Sequence, residues 1–276
     1  MPEIKEQRFC IPLQEPQFID GQLKHYFPMI TNVRCFLSQH GEDLEVYMDY
    51  FKDREVQNGT YIEAGAVEGW QASNTWYFEH NEGFTGMLIE ANPRCLEGLK
   101  IIRPNNTIVL GALHNEDNLR VSFTVPDNNG QDFMLGYVEE ATTSRQKETV
   151  QNASGGKVTT VTVPTATLKS LVERAGLEHV DILFLDVEGS ELQALQGYDW
   201  KVPVYVVVIE LPEGDATGHD EREKNEACRQ ILRDQGYIFN KYCGCNEIWH
   251  LPTYRDGKPT LIADWDKLES DNGETK

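Results

Sequence analysis

Tyr61-Ile62-Glu63-Ala64-Gly65-Ala66-Val67-Glu68-Gly69, followed by Gly86-Met87-Leu88-Ile89-Glu90-Ala91-Asn92-Pro93, decides the fold. Each stretch reads as an apolar strand that stops at a carboxylate. In the first, the E-x-G-x-x-x-G turn lets backbone approach a ligand closely, because glycine has no Cβ and tolerates positive φ. In the second, Glu90 ends the strand at the position from which a doubly wound domain hydrogen-bonds a ribose diol. The separation of the two fits one βαβ unit. The glycines do not follow G-x-G-x-x-G, which argues against a pyrophosphate on a helix N-terminus. An acidic residue ahead of the turn repels phosphate and suits a cationic amino end, so the pattern favours S-adenosyl-L-methionine over a dinucleotide.

Working outward, the order is strand 60–65, helix 71–82, strand 85–90, helix 93–101 and strand 106–112, an alternation that builds a parallel sheet. Upstream, Leu44, Val46, Tyr47 and Tyr50 recur at helical spacing over 39–51, with Ser38 as the expected N-cap. Residues 113–163 break the rhythm as an inserted β/loop segment. In it Arg120–Val125 and Lys157–Val163 read as an antiparallel pair. The Asn-, Gly-, Thr- and Ser-rich part between them, 126–155, reads as a mobile lid. Helix 165–176 leads to strands 181–186 and 203–210, whose unbroken apolar runs predict burial on both faces at the sheet centre. A charged helix over 219–235 and a hairpin, 237–242 with 247–251 around Gly244, complete seven strands. The fold class is therefore α/β: a seven-stranded, mostly parallel sheet with helices on both faces and an antiparallel final hairpin. One domain is expected over 1–254, with an irregular N-terminal cap at 1–36 and a disordered polar tail at 255–276.

Three further stretches add to the first two: Ser38-Gln39-His40-Gly41-Glu42-Asp43-Leu44, Val180-Asp181-Ile182-Leu183-Phe184-Leu185-Asp186-Val187-Glu188-Gly189-Ser190-Glu191-Leu192, and Val204-Tyr205-Val206-Val207-Val208-Ile209-Glu210. Together, over roughly residues 37 to 250, the chain resembles the FkbM family of S-adenosylmethionine-dependent methyltransferases. The resemblance implies a class I, Rossmann-like fold and a methyl donor. It also implies transfer to a hydroxyl of a small acceptor, with a sugar or glycan expected. Glu63 and Val67 stand where many relatives carry Asp and a different small residue. The resemblance places Gln39 and His40 near the donor.

Ligands of an open α/β sheet bind beyond the carboxyl ends of its strands. Those ends carry Glu63, Glu90, Gly111-Ala112, Asp186 and Glu210. Glu63 with Gly65, Ala66 and Gly69 is expected to face the methionine moiety, Glu90 the ribose, and Asn92 and Ala112 the adenine. Ser73, Asn74, Ala91, Asp186 and Val187 complete the expected donor site. Asp186, then Glu210, then Glu188, are the candidate bases for the acceptor's proton. Asp186 and Glu210 are alternatively a pair of oxygen ligands for a divalent cation, a weak signal because Leu211 follows Glu210. Trp70, Trp76, Tyr77 and Tyr137 are candidate stacking surfaces, His219 a candidate acceptor-loop residue, and Glu191 a surface charge.

Lys and Arg number 25 against 45 Asp and Glu, a formal charge of −20, which repels a phosphate backbone and makes nucleic acid and anionic membrane poor partners. No apolar run reaches the ~18 residues of a membrane helix, and Met1 to Glu6 lacks the order of a signal peptide. A cytoplasmic protein is expected. The cysteines, at 10, 35, 95, 228, 243 and 245, form no C-x-x-C, so isolated thiols are expected. Two rival functions stay open at this point: a dinucleotide oxidoreductase, and a donor-binding scaffold without turnover.

Overall fold

The computed structural model describes residues 35–127, 135–142, 144–212 and 221–262. The expected N-terminal cap, His219 and the last part of the tail lie outside the described residues, apart from Cys35 and Phe36. The described residues from Phe36 onward form one compact unit.

Seven strands form the main sheet: β1 (Thr60–Ala64), β2 (Thr85–Glu90), β3 (Thr107–Leu110), β8 (Val180–Leu185), β9 (Val204–Glu210), β10 (Ile238–Cys243) and β11 (Asn246–His250). Their spatial order is β10-β11-β9-β8-β1-β2-β3. β1, β2, β3, β8 and β9 run parallel, and β11 pairs antiparallel with β9 and β10. The chain moves outward from β1 to β3 and returns to β8 on the other side of β1. That reversal opens a crevice at the carboxyl ends of β1 and β8, where open α/β sheets take their ligands.

β8 is buried at all six positions, and its alternation divides them. Leu183 and Leu185 join the core on one face with Ile62, Met87, Leu171, Val207 and Ile209. Ile182 and Phe184 join the other with Tyr61, Leu88, Tyr77, Phe78 and Val208. A strand covered by helices on both sides has no polar face to spare, which is why its sequence lacks the usual alternation.

Several element boundaries differ from the sequence reading. The predicted strand 106–112 breaks at Gly111, whose Cβ would stand 2.9 Å from the Pro164 carbonyl oxygen. β4 (Ala112–Leu113) then leaves the main sheet for a second sheet ordered β4-β7-β5-β6, made with β5 (Arg120–Pro126), β6 (Tyr137–Val138) and β7 (Val158–Ala166). The antiparallel pair of β5 and β7 is there as read, though β7 runs on into the predicted start of the helix. That helix is α5 (Leu168–Ala175), capped by the Thr167 hydroxyl, which accepts from the Ser170 amide at 3.0 Å. The predicted helix 71–82 shrinks to α2 (Trp76–Asn81), because residues 66–75 are consumed in turns.

The expected lid is the larger correction. Within 126–155 the described residues form β6 and a ten-residue helix, α4 (Ser144–Ala153). Its polar composition disguised a helix that needs only a narrow buried stripe, with Val150 and Gln146 on the buried side. The expected disorder from Arg255 is also corrected in part. Arg54 pairs with Asp256 at 3.1 Å, the Ile262 amide donates to the Asp49 carbonyl at 2.9 Å, and Thr260 is buried. The Ser38 N-cap is replaced: α1 (Glu42–Val46) starts at Gly41 in the left-handed region, φ 89°, and a π-helical turn follows over Tyr47–Phe51. Ser38 and Asp43 bond to each other instead, and Ser38 bridges to Ala72, so this motif packs against the turn after β1.

Candidate active site

A cavity of about 370 Å³ opens at the carboxyl ends of β1, β2, β8 and β9. Its polar wall carries Glu90, Asn74, Asp186, Glu188 and Glu210, and its apolar wall Ile89, Leu113, Phe123 and Val138.

Gly65 is required where the rims of β1 and β8 meet. It stands at φ 87°, and a Cβ there would lie 1.9 Å from the Asp186 carbonyl oxygen. The turn that follows is pinned to β2: the Gly65 and Ala66 amides donate to the Ile89 carbonyl at 3.0 and 3.2 Å, and the Val67 amide to Glu90 Oε2 at 2.8 Å. Val67 sits at φ 49°, a left-handed conformation that a β-branched residue rarely takes. Ala72 and Glu188, which also line the cavity, share it. Such backbone strain collects at functional sites, where surrounding structure holds it in place.

Glu90 is buried, and its other oxygen accepts from the Asn92 amide at 2.6 Å. Burial pushes its carboxyl up to about 7, with the amides of Asn92, Val67 and Ala91 pulling the other way. A carboxyl raised above its unfolded value stabilises the fold below that unfolded value and loses the contribution as pH rises through the folded one. The donor-free protein should therefore lose thermal stability between about pH 5 and about pH 8, and Glu90→Gln should flatten that loss. Melting curves across this range check it, and an unchanged slope in the variant would refute it.

Asp186 ends β8, and Glu210 ends β9. Burial, then the neighbouring Glu210, Glu188 and Glu191 carboxylates, hold the Asp186 carboxyl well above the usual range. One carboxylate oxygen from each of Asp186, Glu188 and Glu210 lies within 4.8 Å of the others. Cys245, at the tip of the final hairpin, donates its thiol to Glu210 Oε1 at 3.3 Å, and burial and Glu210 raise that thiol to about 12. Gln146 of α4 donates to Glu188 Oε2.

The structure separates the expected site residues into two groups. Gln39, Gly65, Ala66, Asn74, Glu90, Ala91, Ala112, Asp186, Val187, Glu188 and Glu210 line the cavity. Glu63, Gly69, Ser73, His40 and Asn92 do not. Glu63 points away beneath the turn, 2 % exposed, and accepts from the Ser73 hydroxyl, the Asn74 amide and the Thr75 hydroxyl. Asn92 caps the 3-10 turn Pro93–Cys95, accepting from the Arg94 amide at 3.1 Å. His40 packs its ring near Gly244, with Nε2 3.7 Å from Cys245 Sγ. The aromatic candidates are also elsewhere: Tyr77 and Tyr137 are buried, and Trp76 stacks on His80 at 3.9 Å. Phe123 is the aromatic ring in the lining.

Sequence reading missed two supports of the site. Glu191 is not a surface charge. It is fully buried, accepts from the Val187 and Gly189 amides at 3.3 and 3.0 Å, and pairs with Lys224 at 2.8 Å, so it shapes the turn that carries Glu188. Arg103, 0 % exposed, donates to the Gly69 carbonyl, the hydroxyls of Ser73, Tyr61 and Thr75, and Glu79. A carboxylate directly after E-G-S, on the predicted helix start, was the one available signal for Glu191. Nothing local marked Arg103.

A parallel sheet with a reversal at β1 and β8, one antiparallel hairpin and a carboxylate-lined cavity over its rim defines a class I methyltransferase. The chain belongs to the FkbM methyltransferase domain family, whose profile matches residues 59–239. It is thus an S-adenosyl-L-methionine-dependent methyltransferase, and a hydride-transferring oxidoreductase is set aside. A fibrillarin from Aeropyrum pernix, crystallised with S-adenosyl-L-methionine, is 12% identical with a TM-score of 0.41, over 77% of this chain and 73% of that one. A TehB-like methyltransferase from Corynebacterium glutamicum is 11% identical with a TM-score of 0.39, over 78% and 89%. Likenesses this distant carry no weight for function. A search of curated proteins finds no match. Among the described residues no helix is long and apolar enough to cross a membrane.

The residues fit the donor. Glu90, a buried carboxylate held by backbone amides, can accept from a diol, and Asn74 lines the cavity with a buried Oδ1 that has no partner and can accept from an ammonium group.

Proposed function

We propose that the chain transfers a methyl group from S-adenosyl-L-methionine to a hydroxyl of a small acceptor, with sugars and glycans as the first class to test. The observation that carries this reading is the Asp186, Glu188 and Glu210 cluster in the same cavity as Glu90 and the glycine turn. When bound, the donor supplies an electrophilic methyl carbon whose bond to sulfur breaks, electrons to sulfur, as the bond to the acceptor oxygen forms. Glu90 would bind the ribose hydroxyls, and the turn at Gly65 and Ala66 would bring protein backbone close to the donor. Asn74 would accept from the amino group. Asp186 would take the acceptor's proton, its raised affinity for protons bringing it nearer a base poised for neutral pH. Glu210 and Glu188 would orient the acceptor. The amide and carboxylate side chains of the lining, Gln39, Gln71 and Gln146 among them, support a hydroxyl-rich acceptor because each can pair with an O–H group.

A screen of sugars, glycans and small alcohols with labelled donor tests the reading, and methyl transfer only to nitrogen or sulfur acceptors would refute it. A donor-binding scaffold would bind without turnover in every arm. Glu90→Ala should weaken calorimetric donor affinity by about 1 to about 3 kcal/mol, the effect of leaving polar partners unpaired. Unchanged affinity would remove Glu90 from the donor site.

A further inference from the structure

Asp186, Glu188 and Glu210 come from three separate places, the end of β8, the turn beyond it and the end of β9, yet converge on one point of the cavity wall. Their three oxygens lie within 4.8 Å of one another. Oxygens about 2.1 Å from a magnesium ion stand about 3 to about 4.2 Å apart across an octahedron, so small side-chain adjustments would bring all three onto one ion. From sequence only Asp186 and Glu210 offered themselves, because the residue after Glu210 is Leu211. The third oxygen is supplied by Glu188, which stands in the turn beyond β8 where Glu188 (φ 53°) and Gly189 (φ 103°) are both left-handed.

A second observation is independent of the acidic groups. Ser190 lines the same cavity, is 3 % exposed, and its buried hydroxyl has no hydrogen-bond partner. A buried hydroxyl left without a partner by folding calls for an explanation, and an ion or an ion-bound water in the cavity it lines is one. Gln146 and Cys245, donating to Glu188 and Glu210, stand where groups that orient metal ligands stand.

We propose that Asp186, Glu188 and Glu210 bind one hard divalent cation, magnesium or manganese, with the Ser190 hydroxyl in its outer shell. The oxygen-only ligand set selects such ions over zinc or copper. The role of the ion rests on the hydroxyl-acceptor reading: it would hold the acceptor oxygen and lower the affinity of that oxygen for its proton, which would pass to the Asp186 oxygen that the ion does not hold.

The full chain, freed of metal by a chelator that is then removed, is titrated with Mn²⁺ and followed by electron paramagnetic resonance and calorimetry. One Mn²⁺ should bind per chain and be displaced by Mg²⁺. Glu188→Gln and Glu210→Gln should each weaken binding at least about tenfold, equivalent to ~1.4 kcal/mol, while Glu97→Gln on an exposed helix face leaves it unchanged. Circular dichroism verifies folding of each variant, and the stoichiometry of the unaltered chain decides the matter if a variant fails to fold. The absence of a saturable Mn²⁺ site, or a site indifferent to both substitutions, overturns the proposal, as does saturation of the trio by an amine-bearing acceptor that excludes Mn²⁺. Donor binding is measured in parallel. A chain that binds S-adenosyl-L-methionine and methylates a hydroxyl but shows no saturable Mn²⁺ site loses the metal proposal alone, whereas one that binds Mn²⁺ and methylates no hydroxyl loses the acceptor reading alone.

Discussion

Asp186→Asn should lower turnover by about 10² to about 10⁴ with the true acceptor, leave donor affinity close to unchanged, and not lower thermal stability. Asn keeps the shape of the side chain, so the cavity and its contact with Gly65 persist. What disappears is a charge that burial and the adjacent Glu210 and Glu188 already disfavour. Removing one of three crowded carboxylates relieves the fold, since the repulsion between like charges falls with it. Loss of activity together with a retained or raised melting temperature separates a chemical role from a structural one. Normal turnover in both Asp186→Asn and Glu210→Gln would place the chemistry elsewhere. A melting temperature lowered along with activity would show that the carboxylate holds the site together.

Arg103→Met should destabilise folding by about 3 to about 5 kcal/mol, the range for breaking a buried ion pair from one side. The guanidinium is fully buried, 3.9 Å from Glu63 Oε2 and in contact with Glu79, and it hydrogen-bonds the Gly69 carbonyl at 2.9 Å and the hydroxyls of Tyr61, Thr75 and Ser73 at 2.7, 3.0 and 3.1 Å. Burial raises the Glu63 carboxyl while Arg103 and the Thr75 hydroxyl oppose it, so without the cation Glu63 must take up a proton or draw in water. Methionine fills much of the volume and returns none of the donors. Lysine should recover little, because a point charge cannot reach the same carbonyl and hydroxyls at once. In the double variant with Glu63→Gln part of the loss should return, since the fully buried Glu63 charge is then gone and only Glu79 loses its cation. Urea denaturation measures all three. A loss below about 1 kcal/mol would mean that water replaces the guanidinium. Because Arg103 grips the loop from Gly69 to Thr75, donor affinity should fall in any variant that stays folded.

The parallel sheet, the inserted antiparallel pair and the final hairpin were legible because each rests on a local pattern. Unbroken apolar runs mark the doubly covered strands, β-branched alternation marks β5 and β7, and Gly244 marks the hairpin tip. Helix α4 was not legible. A ten-residue helix whose apolar residues are Val150 and Ala153 has no periodicity to read, and its existence depends on the sheet it covers. The same limit applied to the tail, where residues 255–262 are held by Arg54, Asp49 and Asp181 from distant parts of the chain.

The sequence by itself determined which residues end the strands, and so which functional groups reach the carboxyl rim: Glu90, Asp186 and Glu210 line the cavity because strand periodicity and strand length put them there. Only the tertiary structure decided which way each carboxylate turns. Glu63 and Glu90 stand alike in sequence, one strand apart. Yet Glu63 is drawn under the sheet rim by Arg103 and three hydrogen-bond donors, whereas Glu90 meets backbone amides and faces the cavity. Likewise Glu188 and Glu191 lie three residues apart, and Lys224 with the amides of Val187 and Gly189 claims the second while the turn presents the first. The orientation of Glu191 and of Glu63 is set in part by cations distant in sequence, Lys224 for the first and Arg103 for the second, and such partners exist only once the chain has folded.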